Sequence, residues 1–179
     1  EQISTDDSVL TIIAHSGPVR ALAVIATSTG DPLLASAGDD GTIRLWNPHT
    51  GTPHGHPLTG HTGWVSALAA IGDSTGEPLL ASAGKDGTIR LWNPRTGTAH
   101  GHPLTGHDGP VSALAVTTTS TGDTLLASAG TDRTIRLWNP HTGTIVEVLR
   151  RRIAPATLLG NGSRLVIGDS EGLTTIELN

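Results

Sequence analysis

The 179-residue chain has a formal net charge of −5, from 16 acidic and 11 basic residues, and its aromatic content is 2%: four Trp, no Phe, no Tyr. With 23 Gly and 11 Pro it is too rich in helix breakers for a helical bundle and suits short strands between tight turns. The acidic balance argues against nucleic acid or a membrane surface as partner, no apolar run reaches the ~18 residues of a membrane span, and zero Cys excludes disulfides and thiolate metal sites. The chain also lacks Met, so Glu1 is read as the start of a processed product or an excerpt.

Residues 7–13 (DSVLTII) stand where a fourth strand would precede His15. The string from 41 to 61, GTIRLWNPHTGTPHGHPLTGH, then returns 46 residues on, at 87–107, with changes only at His49/Arg95 and Pro53/Ala99. A weaker third copy covers 133–144, and His15, His61 and His107 keep the same spacing, as do Trp46, Trp92 and Trp138. Each unit predicts four strands. The first begins at Val19, Val65 or Val111 and ends in a Gly-bearing loop such as 27–32. LLASAG (33–38) is the second, the turn Asp39-Asp40-Gly41 signals a hairpin, and TIRLWN (42–47) is the third. Residues 52–58 form the fourth, confined to a sheet edge by Pro53 and Pro57, which have no N–H to donate. Four-stranded units at this period are propeller blades, here about 14–59, 60–105 and 106–149, with a divergent unit at 150–179.

Gly60-His61, Gly106-His107, Ser82, Ser128, Asp86, Asp132, Trp92-Asn93 and Trp138-Asn139 together resemble the WD-repeat β-propeller signature, with Trp-Asn replacing the closing Trp-Asp. The resemblance spans about residues 10–149 and extends to the near-identical, recently amplified propellers of bacteria. It implies an all-β fold, a cytoplasmic non-catalytic scaffold without cofactor, and a hydrogen-bonded tetrad per blade. Carried over, the tetrads are His15/Ser36/Asp40/Trp46, His61/Ser82/Asp86/Trp92 and His107/Ser128/Asp132/Trp138. The stretch 163–178 aligns on Gly172 but has Ile167, Glu171 and Glu177 in place of Ser, Asp and Trp, and Arg150-Arg151 in place of Gly-His, so it carries no tetrad.

Three strands at the C-terminus plus residues 7–13 count as a fourth blade. A ring of four needs roughly 90° between blades, whereas rings of seven or eight need about 50° or 45°. The reading adopted is a homodimer in which two chains close an eight-bladed ring and residues 7–13 complete the partner's last blade. A closed four-blade monomer and a piece of a longer array are the alternatives.

Ser, His and Asp within each repeat are read as structural, not as a hydrolase triad, because the set recurs three times with a Trp attached. His54-Gly55-His56 and His100-Gly101-His102 place two imidazoles at i and i+2, half of a zinc or nickel site on an extended strand, or two outer-strand polar residues copied with the repeat. Gly84-Lys85-Asp86 lacks the residues of a phosphate loop, and Arg150–Arg152 is a solvated edge or an acidic partner's contact. The near-identical copies disagree at Ser16/Thr62/Asp108, Pro18/Trp64/Pro110, Arg20/Ser66/Ser112 and Asp39/Lys85/Thr131. In the WD-repeat family the last three sets lie at the mouth of the central channel. Pro18, Arg20, Asp39, Trp64, Ser66, Lys85, Asp108, Ser112 and Thr131 are therefore the candidate contacts for a protein or peptide partner, with neutral drift at exposed turns as the competing reading. Trp64 is either a hot spot or part of a dimer seam.

Overall fold

A computed structural model of the protein describes residues 11–27, 30–72, 78–152, 154–155 and 157–178. These residues form antiparallel sheets and no helix, so there is no helix long and apolar enough to cross a membrane. The first sheet is β1 (Val19–Ile25), β2 (Leu33–Gly38) and β3 (Ile43–Trp46). The second is β4 (Val65–Ile71), β5 (Leu79–Gly84), β6 (Ile89–Asn93) and the short β7 (Thr98–Ala99). β8 (Val111–Thr118), β9 (Thr124–Gly130), β10 (Thr134–Trp138) and β11 (Ile145–Arg150) make the third, and β12 (Thr157–Asn161), β13 (Arg164–Asp169) and β14 (Gly172–Glu177) the fourth. Within each sheet the strands are ordered as in the chain, so every connection is a hairpin or a short loop.

The outer strand shows most directly how composition sets structure. In the third repeat IVEVLR carries neither Pro nor Gly, and β11 pairs with β10 from Thr134↔Arg150 to Trp138↔Ile145. The second repeat has Ala99 in place of Pro53, and β7 pairs at Trp92↔Ala99 and Asn93↔Thr98 before a single bridge at Ile89↔Leu104. In the first repeat the expected strand over residues 52–58 is reduced to isolated bridges at Trp46↔Pro53 and Ile43↔Leu58. Pro53 and Pro57 cannot donate, and Gly55 turns to φ +73° between them. Of the expected closing strand, residues 7–10 lie outside the described residues, and 11–13 are not in a strand.

The sheets stack through their innermost strands, β1 on β4, β4 on β8 and β8 on β12. Each sheet offers the next a forward face of small residues, such as Ala81 and Ala83, with Ile89 and Leu91 outside them. The receiving sheet presents a backward face, here Val111, Leu114, Leu126 and Trp138. Alanines at the contact let the backbones approach while the larger residues close the outer part of the seam. Ser66 Oγ–H donates across the seam to the Val111 carbonyl, and Ser112 Oγ–H to the Pro155 carbonyl (2.9 Å).

The backward face of the first sheet has no such cover among the described residues. Leu22 and Val24 are 62% and 66% exposed, whereas Leu114, which stands where Leu22 does in the third repeat, is 8% exposed. Val19 is 47% exposed, while its counterparts Val65 and Val111 are buried. At the other end, Leu159 and Leu173 of the fourth sheet are exposed. The described residues leave apolar surface on both end sheets.

At the hairpin turns Gly41 and Gly87 adopt φ +72° and +71°, and a Cβ at either would come within 2.9 Å of the carbonyl of Gly63 or Gly109 in the next repeat. Arg133 holds the third turn at φ +64°. It is accommodated because Arg151 follows there in place of the Gly-His loop and donates its N–H to the Arg133 carbonyl (2.8 Å). In urea denaturation, Gly87→Ala is expected to cost about 2 kcal/mol from backbone conformation plus clash, and Arg133→Gly to gain up to about 1 kcal/mol from relieved backbone strain. Equal destabilisation by both would contradict this account.

Candidate functional site

The residues that recur and the residues that vary occupy different parts of each sheet. In the first three sheets a Trp at the end of the third strand, a Ser in the middle of the second, the His before the first and the Asp of the hairpin turn form one hydrogen-bonded chain. Trp46 Nε1–H donates to Ser36 Oγ (2.9 Å), His15 Nε2 lies 2.8 Å from that hydroxyl, and His15 Nδ1 lies 2.9 Å from Asp40. Trp92, Ser82, His61 and Asp86 repeat the geometry at 2.8, 2.8 and 2.9 Å, and Trp138, Ser128, His107 and Asp132 at 2.8, 2.7 and 3.0 Å. An indole N–H can only donate, so each Ser oxygen accepts from Trp, which leaves its own O–H to donate to His Nε2. With that donation the imidazole is neutral, its proton on Nδ1 and given to the carboxylate.

The electrostatics agree. Burial holds His61 and His107 below the ordinary imidazole value, against the pull of Asp86 and Asp132. For Asp40, burial opposes ionisation, but hydrogen bonds from His15 and Thr42 prevail and hold it at about 2. Asp132 is likewise held at about 2 against burial, by Thr134, the Asp108 N–H and His107. Thr42, Thr88 and Thr134 each donate a hydroxyl to their Asp at 2.8–2.9 Å, a fifth member that the tetrads do not include. Its only signal in the sequence is the Asp-x-Thr spacing at each hairpin. The fourth sheet replaces the chain with apolar packing: Leu165 and Ile167 are fully buried, and Glu177 pairs outward with Arg164 at 3.0 Å.

Ser36, Ser82 and Ser128 are buried beneath their Trp partners, so the Ser–His–Asp sets face no cleft. His54 and His56 border an outer groove with Arg95, and His100, His102 and His141 border the matching one. The expected extended strand is absent there, because Gly55 and Gly101 bend it at φ +73° and +71°. Among the described residues no three His, Asp or Glu side chains gather as a metal ion requires.

The varying positions meet in pairs. The turn N–H of Asp39, Lys85 and Thr131 bonds the carbonyl of Pro18, Trp64 and Pro110 respectively, at 3.1, 3.0 and 2.9 Å. Arg20 Nε–H donates to Asp39 Oδ1, and its guanidinium lies 5.2 Å from the centroid of the Trp64 ring. The Lys85 ammonium lies 4.7 Å from the same centroid. Arg20, Asp39, Trp64 and Lys85 therefore form one cluster across the seam between the first two sheets. Trp64 is part of an internal seam, half-buried between two cations. Ser66 and Ser112 do not join this cluster, since their hydroxyls are engaged by carbonyls of the next sheet. Asp108 and Thr131 are exposed on the third sheet, and the Asp108 N–H bonds Asp132 at 3.1 Å.

The family model described as "WD domain, G-beta repeat" matches residues 6–47, 52–93 and 99–139, most of the chain, and the chain belongs to that family. Proteins of the family generally mediate protein–protein interactions and are typically non-catalytic. Among solved structures, it is similar to the "Crystal structure of the computationally designed Ika4 protein", with a TM-score of 0.74 over 94% of this chain and 96% of that one. The two are 24% identical, which supports the propeller fold and nothing finer. No curated protein matches the chain.

Replacing Ser82 with Ala leaves the Trp92 N–H and His61 Nε2 unpaired in a buried seam and is expected to cost about 3 kcal/mol in urea denaturation. The depressed His61 and His107 mean that the unfolded chain takes up protons first. Stability is therefore full above about pH 6.5 and falls as pH drops below it, then falls again from about 3.8 towards about 2 as Asp40 and Asp132 protonate. A urea midpoint that stays level between pH 7 and pH 5 would refute the neutral-imidazole assignment.

Proposed function

We propose that the protein is a non-catalytic interaction scaffold in which two chains close one eight-bladed ring and display the loops at the channel mouth to a protein or peptide partner. The observation that carries it is the bare backward face of the first sheet. Leu22 and Val24 are exposed there, although the same positions of the second and third sheets pack against a preceding sheet. What covers that face inside the chain is always the forward face of another sheet of the same kind. A second copy supplies such a sheet at its C-terminal end, where Leu159 and Leu173 are exposed. Two half-rings joined head to tail satisfy both ends with two equivalent contacts. In this reading the fourth sheet, which has three strands among the described residues, sits at the junction with the partner chain.

The scaffold role follows from the division within each sheet. The buried Trp–Ser–His–Asp chains hold the frame fixed, and the Arg20, Asp39, Trp64 and Lys85 cluster offers exposed charge and half-buried aromatic surface at the loop ends. Pro18, Asp108 and Thr131 belong to the same rim, with Ser66 and Ser112 supporting it from beneath.

Light scattering across a dilution series is expected to give a molar mass near twice 18.3 kDa, with Leu22→Asp/Val24→Asp shifting it to the mass of one chain while the far-UV circular dichroism stays unchanged. A wild-type chain that stays monomeric at every concentration overturns the two-chain ring.

A further inference from the structure

We propose that the mouth between the first and second sheets binds a carboxylate-bearing peptide, with Lys85 as the ion-pairing group and Trp64 as the apolar platform beside it. The inference rests on reading the mouth as a docking surface and names the chemistry of what docks there. Two cations lie against the Trp64 ring, Arg20 and Lys85, and a cation so placed gains further stabilisation from an anion on its outer side. Arg20 has one, Asp39. Lys85 has no carboxylate partner among the described residues. Its backbone N–H bonds the Trp64 carbonyl at 3.0 Å, its aliphatic stem runs beside Gly63, and its ammonium lies over the Trp64 ring. A lysine whose ammonium already rests on an aromatic ring has less side-chain freedom to lose when a carboxylate arrives.

The sequence supports the same pair. The second repeat alone carries Trp64 where the first and third have Pro18 and Pro110, and at the turn position that differs in every copy (Asp39, Lys85, Thr131) it carries the cation that touches this Trp. The site is built for a short acidic segment and not for nucleic acid. It offers one unneutralised cation on a chain of net charge −5, with Asp39 and Asp108 exposed on the same rim to repel a row of phosphates.

Three of the four Trp are buried in the sheets, so a change in indole emission on adding a ligand reports on Trp64. The probes are hexaglutamate, hexaglutamine, hexalysine and a single-stranded oligothymidylate. Hexaglutamate is expected to change the emission saturably, and the other three are not. Lys85→Gln is expected to weaken hexaglutamate by about tenfold or more, and raising salt from about 50 to about 500 mM to weaken it similarly. Trp64→Phe is expected to abolish the emission change while calorimetry still detects weaker binding. No saturable response to hexaglutamate up to about 1 mM, an affinity unchanged by Lys85→Gln, or tighter binding of oligothymidylate would each overturn the proposal. The cluster belongs to one chain, so a monomer that still binds hexaglutamate defeats the two-chain ring alone.

Discussion

Every sheet of this protein is apolar on both faces, and that constraint governs the rest of the structure. A sheet with one wet face can rest on a single core, but here Ala81 and Ala83 look forward while Leu80 and Trp92 look back, and all four are buried. Stability therefore resides in the seams between sheets, not within any one of them. The small residues at the centre of each seam set the approach distance. The Ser66 and Ser112 hydroxyls tie neighbouring sheets together where the inner strand bulges. Among the described residues, repetition meets the constraint everywhere except at the ends, where the first sheet's Leu22 and Val24 have no preceding neighbour.

Inside that stack, the polar chains from Trp to Asp solve a second problem. A wide indole at the end of the third strand covers the sheet, but its N–H must be satisfied away from water, and the Ser beneath it carries the bond on to His and Asp. Donation starts from the indole, because its nitrogen cannot accept. The fourth sheet shows that the chain is one solution among others: Leu165 and Ile167 fill the same depth with hydrocarbon, and Glu177 turns outward to Arg164. A half-satisfied network would be worse than either.

With the frame fixed by recurring residues, the loop ends are free to differ. The differences are concentrated where the turn after each second strand meets the loop before each first strand, and backbone hydrogen bonds hold those two segments together in every repeat. A substitution at one partner is therefore felt by the other, as Lys85 lying over Trp64 shows.

The sequence alone determined the unit and most of its strands, because these rest on local chemistry repeated three times: alternation in TIRLW and a turn glycine. The buried polar residues were placed by the resemblance to the WD-repeat signature. Pro53 and Pro57 also marked residues 52–58 as an edge strand. How far that strand is lost needed the structure, where Gly55 turns a nominal strand into two isolated bridges. What the tertiary structure decided is what lies across a seam. Ser66 and Ser112 looked like rim residues because they varied with Arg20, yet their hydroxyls reach carbonyls 45 and 43 residues away. Trp64 stood in the sequence as a hot spot or a dimer-seam residue, and the structure adds that two cations converge on its ring. Spacing along a chain encodes contacts within a sheet, where register is set by hairpins. Contacts between sheets depend on how closely two faces approach, and that distance is fixed only once the faces have packed.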